Sequence, residues 1–90
     1  MARLAPKELS LSDSEQNELQ ELIKGHKTAQ QIVIRAKIIL LASSGKNNGE
    51  IARILEISLD MTRLWRKRWL ETQGAKLSAV QRLQEPIPLF

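Results

Sequence analysis

Cysteine is absent from this chain of 90 residues, which excludes disulfides and thiolate metal sites and leaves a reducing compartment open. Tyrosine is absent as well, and Trp65, Trp69 and Phe90 are the only aromatics, so a core must be built mainly from Leu, Ile, Val and Ala. The one histidine, His26, stands beside Gly25 with only scattered carboxylates as co-ligands, so no metal site and no cofactor are expected. No apolar run approaches the roughly 18 residues of a membrane span. The longest, Ile38 to Ala42, is also too short for a secretory signal core and lies mid-chain. A cytoplasmic, nucleoid-associated protein without membrane contact is the expectation.

What remains is one small domain, long enough for a modest helical core but not for an ordinary enzyme domain with a lined pocket. The net charge of +4 is unevenly placed. Residues 1–45 carry six Lys/Arg against five Asp/Glu, whereas residues 46–90 carry eight against five. Arg63, Arg66, Lys67 and Arg68 form a cluster with no acid inside it. A local basic patch suits a polyanion surface, although a solvated charged face has the same composition.

Periodicity and caps predict helices throughout. Ser12 with Glu15 reads as a capping box, and Leu19, Leu22 and Ile23 give a helical stripe from Asp13 to Lys24 that stops at Gly25. Thr28 with Gln31 reads as a second box opening a helix from Ala29 to about Ser43. Ile32, Val33, Ala36, Ile39 and Leu40 make its apolar face, with Ile38 and Leu41 widening it, so this helix should be central. Gly45 ends it. Asn47 with Glu50 opens the next helix, in which Ile51, Ile54 and Leu55 share a face and Ala52 leaves room for a neighbour. Ile57 forms the turn, and Ser58 caps a last long helix reaching about Thr72, before Gly74. Leu77, Val80 and Leu83 suggest a short final helix, stopped by Pro86 and Pro88. The fold class is therefore all-α, a bundle of four to five helices containing a helix-turn-helix. Its divisions are an arm over 1–11, the domain over 12–74, and a short helix and proline-containing tail over 75–90.

In the helix after Ser58, Thr62, Trp65 and Trp69 recur at helical spacing and should point inward; that phase assigns the tryptophans to the core rather than to stacking on unpaired bases. Asp60, Arg63, Leu64 and Lys67 lie opposite and are the candidate base contacts of a helix suited to the major groove. Arg63 can donate twice to guanine O6 and N7, or else meet a phosphate. Asp60 either accepts from cytosine N4 or favours the positive end of the helix dipole. Arg66 and Arg68 on the flanks, with Lys46, Asn47 and Asn48 at the preceding helix start, are candidate phosphate contacts. Glu15, Glu18 and Glu21 read as a solvated helix face without catalytic partners.

Several segments together resemble a known family. Leu9-Ser-Leu-Ser, the Glu15 helix, Arg35-Ala-Lys-Ile-Ile-Leu-Leu-Ala, Gly45, Glu50-Ile-Ala, Trp65-Arg-Lys-Arg-Trp and Gly74 resemble the N-terminal DNA-binding region of bacterial insertion-sequence transposases related to mariner elements. The resemblance covers roughly residues 9 to 83. It implies binding of double-stranded DNA at the terminal inverted repeats of an element. In that family a separate C-terminal domain, with three carboxylates and two metal ions, cuts and joins DNA. No such domain is expected here, and the family's basic proline-rich linker is represented by Glu85-Pro-Ile-Pro-Leu-Phe. Glu56 replaces the usual turn glycine, and Met61-Thr62 replaces a Thr-Val pair. The expectation is DNA binding without catalysis. A free-standing regulator acting as a homodimer, and a decayed relic serving a protein contact, are the alternatives.

Overall fold

The computed structural model describes residues 9–84, which contain five helices and, among those residues, no strand. They are α1 (Asp13–Lys24), α2 (Gln30–Ser43), α3 (Asn48–Leu55), α4 (Leu59–Glu71) and α5 (Ala79–Arg82). The expected all-α bundle with a helix-turn-helix is the architecture adopted. The tail from Pro86 to Phe90, and residues 1–8 of the arm, lie outside the described residues.

Local hydrogen bonding explains most helix ends. The Ser12 hydroxyl accepts from the Glu15 amide at 3.1 Å while the Glu15 carboxylate accepts from the Ser12 amide at 2.9 Å. Asn47 and Glu50 repeat the arrangement at α3, at 2.8 and 3.0 Å. Helix α2 ends where Gly45 turns left-handed, at φ 98°, so that the Gly45 amide reaches the Ala42 carbonyl and the Lys46 amide reaches Leu41. The box expected from Thr28 and Gln31 does not form. Ala29 is the N-cap of α2 and has no side-chain cap. The Thr28 hydroxyl lies instead against Gly25, so close that a Cβ there would come within 2.5 Å of it.

Helix α2 is central, as its broad apolar face predicts, and packs on α1, α3 and α4. Leu19, Ile38, Ile39, Ile51 and Trp69 are wholly buried, and Trp65 is 2% exposed. Ile54 departs from the predicted inward face of α3 and is 52% exposed. Eight residues give α3 little more than two turns. Its packing edge is filled by Ile51, with Leu55 beside it, and Ile54 is left outside.

Two carboxylates placed on a solvated face are in fact ties across the bundle. Glu18 accepts from the Ala79 amide at 3.1 Å, and Glu15 pairs with Arg82 at 2.7 Å. Arg82 is buried. Its Nε donates to the Thr72 hydroxyl at 2.6 Å, a terminal nitrogen donates to the Trp69 carbonyl at 2.7 Å, and the guanidinium lies 3.5 Å from the centre of the Trp69 ring. Burial by itself would raise the Glu15 carboxyl. The Ser12 amide, the Arg82 guanidinium by hydrogen bond and by charge, and the Ser12 hydroxyl outweigh that and hold it below its ordinary value. These ties also revise the boundaries read from sequence. Leu9, assigned to the arm, and Leu83, assigned beyond the domain, are both core residues, so the packed unit runs past 12–74 at each end.

Between α3 and α4 the chain turns through Glu56, Ile57 and Ser58. Glu56 is left-handed, at φ 57° and ψ 47°, which lets the Ile57 amide donate to the Ala52 carbonyl at 3.0 Å. Glu56 is the only non-glycine residue among those described with positive φ. A side chain in this conformation costs about 1 kcal/mol relative to glycine. Glu56→Gly should therefore raise the melting temperature by about 4–8 °C, whereas Glu56→Ala should not. Equal melting of the two variants would show that the turn carries no such strain.

Candidate nucleic-acid interface

Helix α4 buries one face and exposes the other. Ser58 caps it by accepting from the Met61 amide at 3.0 Å. Thr62, Trp65, Trp69 and the capping Thr72 turn inward, and the Thr62 hydroxyl is satisfied by the Ser58 carbonyl at 3.2 Å. Leu59, Asp60, Arg63, Leu64 and Lys67 turn outward and are exposed. At 3.6 residues per turn these five span about 140° of the circumference. All four residues proposed for base contact, Asp60, Arg63, Leu64 and Lys67, thus share one solvent-facing stripe. Leu59 belongs to it too, and its place one turn before Arg63 is the sequence signal that identifies it.

The phosphate candidates separate. Lys46 and Asn47 are exposed just ahead of α3, and Asn48 is half-buried. The capping box already occupies the Asn47 and Glu50 amides and sets the Glu50 carboxylate at that helix end. Lys46, rather than a row of open amides, is therefore the feature this corner offers to an anion. Arg53, also exposed on α3, adds a cation that the charge cluster did not include.

Arg66 is a correction. It is 7% exposed, and a terminal guanidinium nitrogen donates to the Lys46 carbonyl at 3.4 Å, which ties α4 to the loop before α3. Burial pulls its guanidinium below the ordinary value, but an arginine remains a cation at any pH where the domain is folded. Arg66 falls between Thr62 and Trp69 on the inward phase, so its position in the heptad already marks it as part of the packing. Arg68 is half-buried on the flank, 5.0 Å from the centre of the Trp65 ring. Arg35 lies 4.1 Å from the same ring centre and donates to the Leu83 carbonyl at 2.8 Å. The basic run of α4 therefore presents Arg63 and Lys67 fully and Arg68 in part, with Arg66 inside.

No helix among the described residues is long and apolar enough to cross a membrane. No curated protein and no solved structure matches the chain. A family model does match, over residues 29–83, and its description is a homeodomain-like domain. The matched segment opens at the residue capping α2 and closes at Leu83, so it contains the helix-turn-helix pair α3–α4 together with the helix that braces it. The chain belongs to the homeodomain-like domain family, and its α3–α4 pair is a helix-turn-helix of the DNA-binding kind.

Proposed function

We propose that this domain binds duplex DNA with α4 in the major groove, and that it is the end-recognition module of a transposase, holding terminal inverted repeats without cutting them. One observation carries the DNA reading: Leu59, Asp60, Arg63, Leu64 and Lys67 are exposed along one arc of α4, while Thr62, Trp65, Arg66 and Trp69 bury the other side of that helix in the core. A rigid helix with exposed polar side chains, braced by α2 and α3, meets the steric demand of groove insertion. The transposase assignment rests on the ordered resemblance from Leu9 to Leu83.

Selection of bound duplexes from a random pool, followed by a salt titration, tests the reading. Lys46, Arg53 and Lys67, with Arg68 in part, are the cations around the helix-turn-helix that can meet phosphates, which suggests three to four neutralised charges. The log of the binding constant should then fall with log salt at a slope of roughly −3 to −4. A flat dependence would remove the DNA assignment. The duplex should be recovered intact after incubation with magnesium or manganese, and cleavage abolished by mutating one carboxylate would overturn the non-catalytic part.

Arg63, exposed on the stripe, and Arg68, half-buried on the flank, should behave differently. Arg63→Ala should relax preference at one or two base pairs and weaken the selected site by about 1–3 kcal/mol, with little effect on random duplex. Arg68→Ala should weaken selected and random duplexes alike. Indistinguishable variants across a panel of sequences would argue against base reading by this face. A homodimeric regulator is the second reading, favoured by the 52% exposure of Ile54 on α3. A palindromic selected site and a dimer in sedimentation would support it over the transposase module.

A further inference from the structure

The outward stripe of α4 differs from a face that meets phosphate alone. Among its cations it holds a carboxylate, Asp60, and two leucines, Leu59 and Leu64, each 39% exposed. A surface that only neutralised phosphates would gain nothing from an acid or from apolar side chains kept in water. Leu64 follows Arg63 directly, and both are on the exposed side of the helix. An arginine entering the major groove donates to guanine O6 and N7, while the apolar group that a base pair displays there is the 5-methyl of thymine. 5-Methylcytosine presents the same group at the same ring position. Successive helix residues advance about 1.5 Å along the axis, and successive base pairs about 3.4 Å. Arg63 and Leu64 are therefore offset along the helix axis by less than one base-pair step. Arg63 and Lys67, set in the same stripe, give it positive charge complementary to a nucleic-acid groove, which an apolar protein partner would not match.

We propose that α4 reads a guanine through Arg63 and, at an adjoining base pair, the 5-methyl group of a pyrimidine through Leu64. This rests on the DNA-binding reading and names what that site selects. Asp60 contributes by rejecting phosphate from the start of the stripe, which keeps the stripe on base edges. Duplexes whose pyrimidine carries the methyl are held more tightly than the same duplexes without it.

The test uses the selected duplex with each thymine replaced singly by deoxyuridine, which removes one methyl and leaves the hydrogen-bonding edge unchanged. At one position beside the guanine that Arg63 requires, the replacement should weaken binding about fourfold, the value of one buried methyl. A second pair of duplexes carries cytosine or 5-methylcytosine at that position. A gain from the methyl there extends the reading to methylated cytosine, and a gain from thymine alone identifies thymine as the source. In Leu64→Ser, thymine and deoxyuridine should bind alike. The deoxyuridine arm uses the unaltered protein, so it stands whatever the variant does to folding. Deoxyuridine tolerated at every position while binding persists overturns the proposal and leaves the DNA reading intact. Discrimination retained in Leu64→Ser overturns it too, as does a change in self-association without any change in DNA binding. Failure to bind any duplex overturns the DNA reading itself.

Discussion

Trp65→Ala should destabilise the domain by about 3–5 kcal/mol, the cost of emptying the site of a buried tryptophan. Small domains have total stabilities of about 5–15 kcal/mol, so much of the population should be unfolded at physiological temperature. The effect reaches beyond one cavity. Trp65 faces the core from the middle of α4, and the Arg35 and Arg68 guanidiniums both lie over its ring. Its loss strips a cation–π contact from Arg35, a buried cation that also donates to the Leu83 carbonyl. Denaturant melts followed by circular dichroism would measure this, and native emission should be that of shielded indole. A variant that melts with the wild type would refute the packing described for α4.

Arg82→Ala should cost about 2–4 kcal/mol, less than a fully buried ion pair because Glu15 keeps some access to water. Three nitrogens of one guanidinium serve three partners on two elements: Glu15 on α1, and the Trp69 carbonyl and the hydroxyl of the C-cap residue Thr72 on α4. Lysine supplies the charge without the fork, so Arg82→Lys should recover well under half of the loss. The acid limb of stability gives an independent readout. The Glu15 carboxyl is depressed in the folded protein, so its contribution is present above 4.5, its ordinary value, and is lost as pH falls through the lower folded value. In Arg82→Ala that limb should flatten. An unchanged acid profile would mean the pair is not coupled to folding.

Helix starts were legible because their causes are local. Ser12 with Glu15, Asn47 with Glu50, and Ser58 lie within one turn of the amides they satisfy. The outward stripe of α4 was legible because burial and exposure follow one period. The failures have a different physical origin. Glu15 and Glu18 find partners 67 and 61 residues away, and no local pattern foretells an ion pair across a bundle. Charge type also misled, since arginine is normally a surface residue. Yet Arg66 sits on the inward phase of α4, and periodicity weighed above charge would have placed it inside. Thr28 failed for a steric reason, its hydroxyl being committed to the gap beside Gly25.

The separation of the two faces of α4 bears on how such a domain can change its target. Thr62, Trp65, Arg66 and Trp69 are held by the core, and each is constrained by what it packs against. Leu59, Asp60, Arg63, Leu64 and Lys67 are exposed, and exposed substitutions of this kind usually shift stability by no more than about 0.5 kcal/mol. A lineage could rewrite these five positions one at a time while the scaffold stayed folded. Specificity can drift with a changing target sequence, and the same bundle can be handed from one set of sites to another.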